Sequence, residues 1–292
     1  MPSAPATALP LLVRTQAELR AALAVWRHEG HRIGLVPTMG ALHEGHLSLI
    51  RRAGEEADRV AVSIFVNPLQ FGPKEDLSRY PRDLEGDLAK CGLAGADLVF
   101  QPEPAEIYPE GFQTHVEVER LSQGLCGASR PGHFRGVATV VTKLLCLFGA
   151  EVAVFGQKDF QQLRVIERLA QDLSIPTRIV GAPIVREPDG LAMSSRNAYL
   201  SPDERRRALS LSQGIAAART LFQGGETRPG PLRTAVLDRL ASSGVRPDYV
   251  ELRDPATLEP LAAAGPDARL LVAAFVGTTR LLDNASLGEG RP

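Results

Sequence analysis

The stretch Ile33-Gly34-Leu35-Val36-Pro37-Thr38-Met39-Gly40-Ala41-Leu42-His43-Glu44-Gly45-His46 decides the fold. Its first half is an apolar run ending at a Pro-Thr pair. Its second half carries two glycines and two histidines, and residues 45–57 then place apolar side chains at helical spacing. A buried strand passing through a glycine-bearing loop into a helix opens a βα unit. Outward from this stretch the alternation recurs. Val- and Ile-rich runs at 59–66, 97–100, 151–155 and 178–185 alternate with helix-period segments at 82–91, 134–148 and 159–173. This predicts an α/β fold, a Rossmann-like doubly wound parallel sheet. Ligands are then expected outside the carboxyl ends of the strands, where Thr38, Asn67, Gly156 and Arg186 emerge and converge on one crevice.

Beyond the turn Pro188-Asp189-Gly190 the pattern changes. A helix is predicted from Ser201, with Glu204 in capping-box position, to about residue 222. A linker at 224–230, an amphipathic segment at 231–242 and β-like runs at 248–252 and 269–276 follow. We therefore expect residues 1–185 to form the Rossmann-like domain and residues 186–292 a smaller α+β C-terminal domain. There is no internal repeat.

Composition excludes several classes. A formal net charge of −1 gives no global attraction to nucleic acid or anionic membrane, so any anion site must be local. Among 33 basic residues the lysines are Lys74, Lys90, Lys143 and Lys158. Cys91, Cys126 and Cys146 are odd in number and lack CxxC spacing, which predicts reduced thiols and a cytoplasmic setting. Residues 1–12 are apolar and Pro-broken but carry no basic n-region, and no window reaches the ~18 apolar residues of a spanning helix.

Five segments carry candidate chemistry. His43 and His46, three apart at a helix N-terminus, suit a polyphosphate, with Gly40 and Gly45 allowing close backbone approach; read alone, the pair equally fits a capped helix with two satisfied histidines. A zinc site is the weaker reading, because HExxH needs histidines four apart. Gly156-Gln157-Lys158-Asp159 closes a later strand, with Lys158 as a compact cation and Asp159 as an N-cap or a partner for a hydroxyl or Mg²⁺. Met193-Ser194-Ser195-Arg196 offers two hydroxyls and a guanidinium to a leaving pyrophosphate. Asn67 to Gln70 supplies amides for a small polar substrate, and residues 129–136, with Arg130 and His133, a further basic entry. Each of these last four segments is by itself also an ordinary capped helix or surface loop. There is no GxxxxGK[ST], GxGxxG or GxSxG motif, so a nucleotide must be held by histidines and helix ends.

The HxGH-type histidine pair with a later serine-containing basic loop resembles the nucleotidyltransferase superfamily that includes class I aminoacyl-tRNA synthetases. PTMGALHEGH (37–46), SIFVNPLQF (63–71), GASRPGHFRGV (127–137), FGQKDFQQ (155–162) and MSSRNAYL (193–200) together resemble the pantothenate synthetases, over about residues 15–284. That resemblance implies ATP-dependent ligation of pantoate and β-alanine through a pantoyl adenylate, with ATP carried as its Mg²⁺ complex, in a homodimer with the C-terminal domain as a lid. It places ATP on Met39, Gly40, Ala41, Leu42, His43, Glu44, Gly45 and His46, on Gly156, Gln157, Lys158 and Asp159, and on Met193, Ser194, Ser195 and Arg196. Val185 would line the adenine pocket. His46, with His43 beside it, would donate to the phosphate chain, and Lys158, Ser194, Ser195 and Arg196 would stabilise charge. Gln70 and Gln162 would hold pantoate, Gln70 also facing β-alanine, with Asn67 and Arg130 near the substrates and Asp159 the candidate Mg²⁺ ligand. The rivals are another HxGH nucleotidyltransferase, since the motif reports the nucleotide and not the second substrate, and a non-catalytic nucleotide-binding regulator.

Overall fold

In a computed structural model of the chain, residues 9–73 and 75–288 are described; Lys74 and the first eight residues of the apolar N-terminal stretch lie outside them. Two compact units emerge. The first comprises the described residues to Ser122 with Arg130–Gln157 and Val165–Pro183; the second comprises Gln123–Ser129, Lys158–Arg164 and the described residues from Ile184 onward. The expected boundary at 185/186 falls close to the last of these divisions, but two short upstream segments also group with the C-terminal unit.

In the first unit β1 (Leu11–Val13) leads to α1 (Gln16–His28), β2 (Ile33–Thr38), α2 (Glu44–Glu56), β3 (Arg59–Ile64), α3 (Leu84–Ala94), β4 (Leu98–Phe100) and the single turn α4 (Pro104–Ile107). The chain continues through α5 (Leu125–Ser129), which belongs to the second unit, to α6 (His133–Phe148), β5 (Val152–Gly156), α7 (Phe160–Asp172) and β6 (Arg178–Ala182). All six strands are parallel, in the order β1-β4-β3-β2-β5-β6. The chain winds one way from β2 through β3 to β4 and the other way from β5 to β6, so the topological switch lies between β2 and β5. Val36, Val62, Val99 and Val154 are fully buried, as strands covered on both faces require. Several elements escaped the sequence pattern, β1 and α1 among them. β1 is a three-residue edge strand too short to show a period, and α1 is announced only by its capping box, Thr15 with Glu18.

In the second unit the helix expected from Ser201 to 222 is two, α8 (Pro202–Ala208) and α9 (Ser210–Gln223), broken at Leu209. Ala208, Leu211, Ile215 and Ala218 bury one continuous face across the break, which is why the period looked unbroken. α10 (Pro229–Ser242) follows, then an antiparallel sheet β7-β8-β9, with β7 at Arg246–Arg253, β8 at Arg269–Val276 and β9 at Thr279–Ser286. β9 carries buried Asp283 and Asn284, and this polarity hides it in the sequence. No helix among the described residues is long and apolar enough to cross a membrane.

Candidate functional site

The end of β2 lies at the topological switch. Thr38 turns its hydroxyl inward, donating to the Ser63 carbonyl (2.8 Å) and accepting from the Gly40 amide (3.2 Å). Gly40 has φ +84°, and a Cβ there would meet the Asp87 carboxylate at 3.0 Å and Ile64 at 3.1 Å, so glycine is required. Ala41 follows at φ +52°, a left-handed conformation that costs an L-residue about 1 kcal/mol. The carboxylate of Asp87 on α3 offsets that cost by accepting from the Ala41 amide (2.8 Å) and the Leu42 amide (2.7 Å). Burial pushes the Asp87 carboxyl above its ordinary value, and the two amides oppose that shift. Asp87 was not foreseen. It sits with Leu84, Leu88 and Cys91 on the inward stripe of α3, and a carboxylate in an apolar stripe was the available signal.

The loop delivers His43 to the N-cap of α2 and His46 to its first turn. The ring centroids are 4.1 Å apart. The His43 amide donates to His46 Nδ1 (3.3 Å), so in the neutral ring the proton lies on Nε2. A helix N-terminus with its positive dipole end thus carries an imidazole N–H donor.

Asn67, at the carboxyl end of β3, is buried, with every amide position used. Its Nδ2 donates to Gln70 Oε1 (3.0 Å) and the Gly136 carbonyl (3.1 Å), while Oδ1 accepts from the Leu69 amide (3.3 Å) and the Tyr108 hydroxyl (2.8 Å). The close approach needs Gly136, where a Cβ would lie 2.2 Å from the Leu69 carbonyl oxygen. Asn67 therefore orients Gln70 and has no donor or acceptor left over for a ligand. Gln70 Nε2 in turn faces Met39 Sδ at 3.0 Å.

Arg130 lies in the same cluster. Its Nε and Nη2 donate to Glu75 (2.7 and 2.6 Å), its Nη1 to His133 Nε2 (2.9 Å). Because Arg130 can only donate, His133 Nε2 accepts, and Nδ1–H donates to the Gln70 carbonyl at 2.9 Å. Burial raises the Glu75 carboxyl, but the Arg130 hydrogen bonds and charge outweigh it and hold the group below the usual carboxylate range. The first unit thus brings Met39, Asn67, Gln70, Arg130 and His133 together. It also holds Gly156, beside Ala182 in the register of β5 and β6, and Gln157, whose amide donates to the Gly181 carbonyl (3.3 Å).

In the second unit Lys158 is half-buried, its Nζ 3.7 Å from Asp159 Oδ2. Gln162 is half-buried on the first turn of α7, whereas its neighbour Gln161 is buried and tied to Cys126, Gln123 and Gly124 main chain. The Val185 carbonyl accepts from the Met193 amide (3.0 Å) at the base of a turn that leads to Ser194. Ser194 caps a 3₁₀ turn, Ser195–Tyr199, and accepts from the Arg196 amide (3.3 Å). That turn is braced from behind: Asn197 donates to Glu187 (2.9 Å), and Arg205 joins Glu187 (2.9 Å) to Asp189 (2.8 Å). The Arg205 guanidinium keeps the Glu187 carboxyl below its ordinary value against some burial. Ser194, Ser195 and Arg196 themselves stay partly exposed. No group of three or more His, Cys, Asp or Glu side chains suited to a metal ion occurs among the described residues.

Comparisons with known proteins give the family. The sequence profile of the pantoate–β-alanine ligase family matches residues 11–286. A pantothenate synthetase of Myxococcus xanthus is 64% identical over 282 residues, 96% of this chain and 97% of its own. One of Anaeromyxobacter dehalogenans is 58% identical over 285 residues, 95% of this chain and 99% of its own. A crystal structure of pantothenate synthetase from Thermus thermophilus superposes with a TM-score of 0.91 at 48% identity, covering 95% of this chain and 99% of that one. A Francisella tularensis pantoate–β-alanine ligase complexed with Beta-gamma ATP and Beta-alanine gives 0.79 at 33%, covering 96% and 99%. With its parallel sheet, its small antiparallel sheet and matches over nearly the full length, this chain belongs to the pantoate–β-alanine ligase family.

Proposed function

We propose that the chain joins pantoate to β-alanine with ATP, through a pantoyl adenylate, releasing AMP and pyrophosphate. The observation that carries this reading is the end of β2: a loop pinned by Asp87 at the topological switch runs into a helix N-terminus bearing two imidazoles, in a chain of the ligase family. The two ligands named for the Francisella tularensis relative support ATP and β-alanine as substrates here.

A carboxylate does not react with an amine until one oxygen becomes a good leaving group. In the first step the pantoate carboxylate attacks the α-phosphorus in line, and the bond from that phosphorus to the bridging oxygen of pyrophosphate breaks. ATP rests on Met39 to His46, on Gly156, Gln157, Lys158 and Asp159, and on Met193 to Arg196, with Val185 against adenine. Lys158, His46 through its Nε2–H, and Ser194, Ser195 and Arg196 stabilise charge on the departing group. Gln70 and Gln162 hold pantoate, and Gln70, its amide oriented by Asn67, also faces β-alanine. Arg130 attracts a substrate carboxylate in competition with Glu75. Were Mg²⁺ to come with ATP, the half-exposed carboxylate of Asp159 would be its protein ligand, and the ion would supply further charge neutralisation. In the second step the neutral amine of β-alanine attacks the acyl carbon, the bond to AMP breaks, and the ammonium proton passes to water. By family resemblance the proposal extends to a cytoplasmic homodimer.

Isotope exchange between pyrophosphate and ATP, with each carboxylic acid offered separately, tests substrate and intermediate together. Exchange should require pantoate and proceed without β-alanine. Exchange without pantoate, or only when both acids are present, would overturn the adenylate.

A further inference from the structure

We propose that Asn284, with Asp283 beside it on β9, is a positioning residue for the first half-reaction, fixing the main chain that carries Lys158. The proposal rests on the reading of Lys158 as a charge stabiliser.

Four polar residues on β8 and β9 are buried, and three of them deeply: Asn284 is 1% exposed, Asp283 3% and Arg269 5%. Polar groups this deep are tolerated only when hydrogen-bonded, and apolar residues would fill the same space at lower cost. Several of their bonds lead toward the candidate chemistry of this unit. Asn284 Nδ2–H donates to the Lys158 carbonyl at 2.8 Å. Its Oδ1 accepts from Arg269 Nε at 2.7 Å, which fixes which end of the amide faces Lys158. The Arg269 guanidinium stacks on Phe160, 4.4 Å from the ring centroid, two residues past Lys158. The 3₁₀ turn Gln157–Asp159 and the start of α7 are thereby gripped through a carbonyl and through a ring.

One residue earlier, Asp283 accepts a bidentate pair from Arg186 (2.7 and 2.9 Å), and Arg186 also donates to the Gly190 carbonyl (3.1 Å), shaping the turn that delivers Ser194. The Asn284 amide donates to Asp283 Oδ1 (2.7 Å), joining the two grips. β9 pairs with β8 along its whole length, Val272 opposite Asp283 and Leu271 opposite Asn284, so both are anchored to one stiff ribbon. The cation and the serine loop of this unit are therefore placed from a single two-residue step. Because a misplacement of about 1 Å can cost about 100-fold in rate, such a reference strand has catalytic consequence without touching substrate.

The test is Asn284→Asp in the full chain, which keeps the side-chain shape and the acceptor facing Arg269 but removes the donor to the Lys158 carbonyl. Turnover for pantoate-dependent pyrophosphate release should fall about 10- to 100-fold, with the KM for pantoate changing by less than about 3-fold. In a Lys158→Ala background the same change should add less than about 2-fold, because the residue acts through the lysine. Wild-type turnover in a folded Asn284→Asp, or an undiminished further loss in the Lys158→Ala background, overturns the proposal. Should Asn284→Asp not fold, Arg269→Lys, which keeps the charge but loses the Nε donor and the stacking plane, is read by the same two criteria. Absence of pantoate-dependent release in the wild type removes the functional reading instead, and this inference with it.

Discussion

The Gln70 cluster of the first unit and the Lys158 and Ser194–Arg196 groups of the second are held in opposite ways. In the first, the groups at issue are themselves members of buried networks: Gln70 is 8% exposed and His133 8%, each with its hydrogen-bonding atoms oriented by Asn67 or Arg130. In the second, Lys158, Ser194, Ser195 and Arg196 are partly open, and their support lies in buried Asn284 and Asp283 on β9, with Asn284 holding the Lys158 main chain, and in the half-buried Glu187–Arg205 brace. A side chain locked in a network is selective for shape and hydrogen-bond pattern. A flexible cation on a fixed backbone suits charge that appears and leaves. On the proposed roles, recognition by Gln70 and charge stabilisation by Lys158 would place different demands on their supports.

The largest effects should come from the side chains proposed to meet the moving charge. Lys158→Ala and His46→Ala are each expected to lower pyrophosphate release by orders of magnitude, about 10²- to 10³-fold by analogy with loss of one charge-stabilising donor. Rapid-quench measurement of pyrophosphate from ATP and pantoate, without β-alanine, checks it. If either variant released pyrophosphate at the wild-type rate, that residue would move from chemistry to scaffold, and the contrast between the units would need redrawing.

What the sequence shows and hides follows the same line. Five of the six parallel strands were legible because buried strands leave runs of Val and Ile, and the histidine loop because it directly follows one of them; the edge strand β1 and the strand order were not. The five quoted motifs are contiguous, so pattern reading finds them. Asp87 reaches its loop across more than 40 residues and Asn284 reaches Lys158 across 126, and no local period encodes such bonds. Asn67 shows the subtler failure: an amide beside a candidate substrate residue looks like a ligand until its four partners are counted.

Asp87→Asn is expected to have an intermediate effect. The carboxylate accepts two amide N–H groups, whereas a carboxamide must turn its NH₂ toward one of them. A loss of about 1 to 3 kcal/mol in unfolding free energy is expected, with looser placement of Ala41 and Leu42. Thermal unfolding alongside the KM for ATP checks both. A variant with unchanged stability and unchanged KM would show that the left-handed Ala41 holds itself, and that the first unit relies less on buried networks than its geometry suggests.

The smallest effect should come from Glu75→Gln, and it discriminates most sharply within the first unit. Because Arg130 holds the folded-state value of Glu75 below the unfolded one, the ion pair stabilises the fold above the unfolded value and that stabilisation is lost as the pH falls through the folded one. The wild type should therefore exceed Glu75→Gln by about 1 kcal/mol at neutral pH, with the two converging as the pH falls through the lowered folded-state value, as denaturant titrations at several pH values would show. The same variant leaves the Arg130 fork without its carboxylate partner. If Arg130 serves a substrate carboxylate, the KM for pantoate or β-alanine should fall at neutral pH; if neither moves, Arg130 belongs with Asn67 among the residues that hold Gln70, and the first unit recognises its substrate through Gln70 alone.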